Sequence, residues 1–132
     1  MTPQSPASES GPSSGSTFSF GHELPPEESP APGKGTIRVL QLYPRDMNIY
    51  GDWGNALVLA QRLRWHGYTP ELLEYNVGDT FPSDIDLIVG GGGQDSGQLV
   101  IQDDLLSRET VLKELAENGT PMLVICGLYQ LF

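Results

Sequence analysis

Residues 85–89 read Ile-Asp-Leu-Ile-Val and pass without a break into four glycines, Gly90, Gly91, Gly92 and Gly93. A short, mostly apolar run of this kind is the mark of a strand buried on both faces, and a strand covered on both faces belongs to a parallel sheet between two layers of helix. The neighbouring segments agree. Residues 36–43, Thr-Ile-Arg-Val-Leu-Gln-Leu-Tyr, are rich in β-branched and aliphatic side chains and stop at Pro44, which predicts a first strand. Residues 45–54, directly after Pro44, hold Asp-, Asn- and Gly-type loop chemistry. Residues 55–66 place Leu57, Leu59, Ala60 and Leu63 at helical spacing, with Gly67 as the stop. A second short strand is expected over residues 71–75, and a turn-rich connection over 77–83. Residues 98–116 are expected to contain a helix starting near Asp103, with Leu105, Val111, Leu112 and Leu115 as its apolar stripe and Asn118-Gly119 as its end. Residues 121–125 form a fourth strand, and Cys126 stands at its exit. This alternation predicts an α/β fold: an open, mostly parallel sheet with helices on both faces. In such sheets the chemistry gathers at the carboxyl ends of the strands. The glycine run and Cys126 both lie at such ends, on consecutive strands.

The first 35 of the 132 residues have a different composition, dense in Ser, Pro, Gly and Glu. Such a stretch cannot bury enough apolar surface to offset its ordering entropy, so residues 1–35 are expected to be a disordered leader and residues 36–132 the domain. The leader has neither the apolar core of a secretory signal nor the arginines of a mitochondrial presequence. No segment is apolar enough to span a membrane, so no membrane insertion is expected. A net charge of −10 argues against nucleic acid as a partner. The lone cysteine cannot form an internal disulfide, which fits a reducing, cytoplasmic setting. His22 lies in the leader and His66 stands apart from it, so no metal site is expected.

Cys126 followed by Gly127 at the exit of a strand has the form of a nucleophile elbow, a strained turn that lifts a side chain above the sheet. The Gly127 N–H would point at a developing oxyanion, and the glycine run offers a second N–H because glycine lets the backbone approach closely. Loss of one such donor costs roughly 3–4 kcal/mol in enzymes that use them. A cysteine at a strand end is also a common small core residue; Gly127 behind it and the glycines on the preceding strand favour the nucleophile.

These residues also carry a family resemblance. Cys126-Gly127-Leu128-Tyr129-Gln130 resembles the Cys-x-Gly-x-Gln motif of class I glutamine amidotransferases. Gly90-Gly91-Gly92-Gly93-Gln94-Asp95 resembles the oxyanion loop of their cobyric-acid-synthase-like branch. With Tyr50-Gly51-Asp52-Trp53-Gly54-Asn55 ahead of the first helix, the set is similar to the glutamine amidotransferase subunits of lipid II isoglutaminyl synthases, over residues 36–132. The resemblance implies a flavodoxin-like sheet, here incomplete, and a glutaminase that supplies ammonia for amidating the D-glutamate of lipid II in cell-wall synthesis. It implies glutamine as substrate and a Mur-ligase-like partner, MurT, in a heterodimer. It places ATP and Mg on that partner and no cofactor in this chain.

Carried over by position, Cys126 is the nucleophile, and Gly127 with Gly91 or Gly92 forms the oxyanion hole. Gln130 helps hold the substrate. Asp52 and Asn55 are expected to brace the loop and cap the first helix, and Asp95 to cap or brace. Leu128 stands where the family usually carries glycine, which requires room on the neighbouring strand. The family's catalytic histidine lies well downstream of its cysteine, and His66 precedes the second strand, so this chain alone is expected to hydrolyse glutamine poorly or not at all. Two other readings stay open: a cobyric-acid-synthase-like amidotransferase, and a non-catalytic α/β module that only binds a partner. Nucleotide binding has little support, because the glycines lack G-x-G-x-x-G spacing and no Lys-Ser/Thr follows.

Overall fold

In the computed structural model, which describes residues 33–132, four short apolar runs pair into one parallel sheet. The elements are β1 (Thr36–Leu42), α1 (Trp53–Trp65), β2 (Thr69–Tyr75), β3 (Leu87–Gly90), α2 (Asp95–Ser107), α3 (Glu109–Glu117), β4 (Met122–Val124) and α4 (Gly127–Leu131). The strand order is β2-β1-β3-β4. From β1 the chain steps one way to β2, and from β3 it steps the other way to β4. Right-handed crossovers therefore put α1 on one face and α2 with α3 on the other. The reversal lies between β1 and β3, the place where sheets of this kind gather their chemistry at the carboxyl ends of the strands.

Side-chain alternation along the strands feeds both faces. Leu40 and Leu42 of β1 and Ile88 of β3 join Ile101, Leu105, Leu112 and Leu128 in one buried cluster beneath α2, α3 and α4. Val39, Gln41 and Val89 point the other way, towards the face of α1, which buries Ala56 and Ala60. Two alanines four residues apart let this helix lie close to the sheet.

The helical region after the glycine run differs from expectation. Helix α2 begins at Asp95, eight residues before Asp103, and a separate α3 follows after a break at Arg108. No glycine or proline marks that break. Instead the Arg108 Nε donates to the Tyr75 hydroxyl at 2.7 Å, which ties the corner between the helices to the end of β2. The Tyr43 and Tyr75 hydroxyls each donate to Asp104 Oδ2 at 2.7 Å. Burial, reinforced by the Asp104 carboxylate, pushes both phenols above their ordinary range. Burial works upward on Asp104 as well, but the two tyrosine hydroxyls outweigh it and hold the carboxyl below its usual range. The expected helix end at Asn118-Gly119 stands, with Gly119 at φ +85°.

The strands run close to their expected bounds; β2 starts two residues early, and β3 starts at Leu87 and takes in Gly90. Most of the expected leader lies outside the described residues. Its last three residues are part of the described structure: the Gly33 and Lys34 N–H groups donate to Gly67 O at 3.1 Å, and Gly35 O accepts the Thr69 N–H at 2.8 Å. Among the described residues no helix is long and apolar enough to cross a membrane.

Candidate functional site

The carboxyl ends of β1 and β3 carry two loops that bond to each other. The Ile49 N–H donates to Gly92 O at 3.1 Å, and the Gly92 N–H donates to Asp52 Oδ2 at 2.9 Å. Asp52 is buried, and its carboxyl group lies against Gly91 so closely that any Cβ there would overlap it. Glycine at 91 is thus demanded by the approach of Asp52. Asp52 sits at the N-cap position of α1 but makes no side-chain cap; the Trp53 N–H is taken at 2.8 Å by Asn48 Oδ1. Bracing and capping, both expected of Asp52 and Asn55, are divided between Asp52 and Asn48. The Asn55 N–H closes a backbone turn onto Asp52 O at 2.9 Å.

Cys126 follows β4 with φ +53° and ψ −119°, a left-handed conformation for a residue that carries a side chain. Holding it costs about 1–3 kcal/mol and requires surrounding bonds that over-determine the turn. Those bonds are present on both sides: the Ile125 N–H donates to Gly90 O at 3.0 Å, the Leu128 N–H to Gly91 O at 3.3 Å, and the Gln130 N–H to Cys126 O at 3.2 Å. The elbow is therefore stitched to the glycine run itself. Cys126 is exposed. Its Cβ lies 3.1 Å from where a Cβ on Gly92 would stand, and the Tyr50 ring reaches 2.9 Å from the same point. Gly127 is the first residue of α4, and a first-turn N–H has no acceptor within its own helix.

Leu128 is fully buried, and its Cδ2 occupies the space that a Cβ on Gly90 would need. The room that leucine requires comes from a glycine on β3, with the strand itself still paired to β4. Gln98, which sequence reasoning did not single out, packs its amide beside Gly127 and donates from Nε2 to Gly93 O at 3.4 Å. Asp95 is the first residue of α2, where a carboxylate meets the positive end of the helix dipole. Gln130 is exposed on α4. His66 follows the far end of α1, at the amino ends of the strands, and is separated from Cys126 by the length of the sheet. Asn48 had a legible signal in its capping preference, but it stands five residues ahead of the helix N–H it serves.

The structure thus brings Cys126, Gly127, Gly91, Gly92, Tyr50 and Asp52 together, and keeps His66 apart. Residues 38–132 match the sequence profile of the CobB/CobQ-like glutamine amidotransferase domain. The chain is 38% identical over 86 residues to the lipid II isoglutaminyl synthase (glutamine-hydrolyzing) subunit GatD of Staphylococcus aureus, covering 64% of this chain and 35% of that protein. It is 35% identical over 99 residues to the subunit of the same name from Streptococcus pneumoniae, covering 72% and 37%. PurLQS from Thermotoga maritima aligns over 72% of this chain and 42% of its own, with a TM-score of 0.44 and 23% identity. The chain spans just over a third of the length of the two GatD relatives. The profile match covers all the secondary structure except the first two residues of β1, and the chain belongs to the CobB/CobQ-like glutamine amidotransferase domain family.

Proposed function

We propose that the chain carries the nucleophilic half of a glutaminase site. The Cys126 sulfur, as thiolate, attacks the δ-carbon of glutamine, and the carbonyl oxygen takes the negative charge. The Gly127 N–H and the Gly91 N–H hold that oxygen, because the Gly92 N–H is already given to Asp52. The carbon–nitrogen bond breaks as the nitrogen gains a proton, leaving ammonia and a γ-glutamyl thioester, which water converts to glutamate and the free thiol. Gln130 helps to hold the substrate amino acid. The observation that carries this reading is the left-handed backbone of Cys126, stitched by hydrogen bonds to the glycine run.

Ammonia is a poor leaving group without a general acid. Among the described residues the histidine is His66, at the other end of the sheet from Cys126, so we place the acid outside residues 33–132. The names of the two GatD relatives support lipid II as the destination of the ammonia. In our reading the acceptor is its D-glutamate, activated in the cytoplasm by a Mur-ligase-like partner, MurT, that would hold ATP and Mg.

In the assembled enzyme, Cys126→Ala should abolish ammonia release from glutamine and leave partner binding intact. Glutamine hydrolysis that survives the substitution would eliminate the proposal.

A further inference from the structure

We infer that Asp52 is the positioning residue of the anion-binding half of this site, an inference that rests on the nucleophile reading above. Four observations converge on it. The Asp52 carboxylate is buried, and its Oδ2 accepts the Gly92 N–H at 2.9 Å. The carbonyl of the same peptide, Gly91 O, accepts the Leu128 N–H of the elbow helix at 3.3 Å. The next carbonyl, Gly92 O, accepts the Ile49 N–H at 3.1 Å. Gly92 is also the loop residue that faces the Cys126 Cβ.

A run of four glycines is the most conformationally free segment a chain can offer, and an oxyanion donor must be held in place before the charge develops. The Gly91–Gly92 peptide is pinned at both ends, by Leu128 through its carbonyl and by Asp52 through its N–H. Asp52 is the only side chain in that pair of ties. It does not touch the reacting atoms in this account. It fixes the Gly91–Gly92 peptide, while Ile49 holds the next peptide through Gly92 O, so that the run presents one set of N–H directions beside Cys126. The overlap between Asp52 and any side chain at position 91 makes the same point from the other partner: the carboxylate and the glycine were accommodated together. A donor displaced by about 1 Å can lose roughly a hundredfold in rate.

The test uses two electrophiles on the full chain. The γ-(p-nitrophenyl) ester of glutamate acylates a thiol through an oxyanion and needs no general acid, because nitrophenolate leaves unaided. Iodoacetamide alkylates a thiol with no oxyanion. Asp52→Ala should slow acylation of Cys126 by about tenfold to a hundredfold and leave alkylation by iodoacetamide unchanged. Asp52→Asn keeps an oxygen acceptor for the Gly92 N–H and should restore most of the acylation rate. Equal loss with both electrophiles would mean general disruption of the elbow and would overturn the inference. Acylation that is unchanged or faster in Asp52→Ala would also overturn it, the faster case showing that Asp52 masks a donor. Wild-type acylation no faster than that of N-acetylcysteine would instead remove the nucleophile reading, and this inference with it.

Discussion

The carboxyl ends of β1 and β2 and those of β3 and β4 lie along the same side of one sheet, yet they are held by different means. At β1 and β2 the work falls to side chains: Tyr43 and Tyr75 converge on a single oxygen of Asp104, and Arg108 closes the cluster from the helix corner. At β3 and β4 it falls mainly to backbone: glycine carbonyls accept N–H groups from Ile49, Ile125 and Leu128, and Cys126 is held in a left-handed turn. The contrast follows from what each end must do. Bulky polar side chains fill space and brace helices. Under the proposed function, a site that brings N–H groups and a sulfur up to a small amide must be cleared of side chains, so its stiffness comes from peptide hydrogen bonds and from the few side chains, such as Asp52 and Gln98, that reach in from outside.

The sharpest way to break this comparison is at Leu128, where the cleared end rests on the shared core. Leu128→Ala removes a fully buried side chain wedged over Gly90 and should cost about 2–5 kcal/mol in chemical denaturation. A loss well under that range would mean the elbow does not depend on its packing.

Tyr43→Phe tests the side-chain end. Removing one hydroxyl bonded to a carboxylate should cost about 1.5–3 kcal/mol. The same cluster makes a pH prediction. The folded Asp104 carboxyl titrates below its ordinary range, so its contribution to stability is complete above that range and is lost as pH falls through the folded value. Asp104→Asn should flatten the acid limb of a stability profile, while an unaltered limb would assign the acid sensitivity to other groups.

The smallest effect is expected at the loop that joins the two ends. Asn48→Ala removes the cap on the Trp53 N–H and should cost roughly 1 kcal/mol, read as a lowered midpoint of unfolding. No change there would show that the Asp52–Gly92 tie alone holds the loop.

The strands, the glycine run at a strand exit and the position of Cys126 were all legible in the sequence, because each is a local matter. Runs such as Val39 to Leu42 or Ile88 and Val89 declare themselves by composition, and glycine declares close approach. The start of α2 was hidden because Gln94, Asp95, Ser96 and Gly97 have the composition of a loop. Leu99 and Val100 are also exposed, so the helix shows no clean stripe until later residues. The family likeness pointed to Cys126 as the proposed nucleophile and to Gly127 with Gly91 or Gly92 as proposed oxyanion donors, but gave no hint that Gly92 would already be engaged by Asp52, or that Gln98 would lie beside Gly127.

The amino-acid order by itself determined the alternation of strand and helix, the parallel sheet and the placing of sulfur and glycines at strand exits, since these follow from nearest-neighbour sterics and apolar periodicity. Only the tertiary structure decided the break at Arg108, the room for Leu128 over Gly90 and the tie from Asp52 to Gly92. Each of these joins residues separated by 33 to 40 positions in the chain. Such contacts are selected by which groups meet when the sheet closes, and no local pattern of residues encodes them.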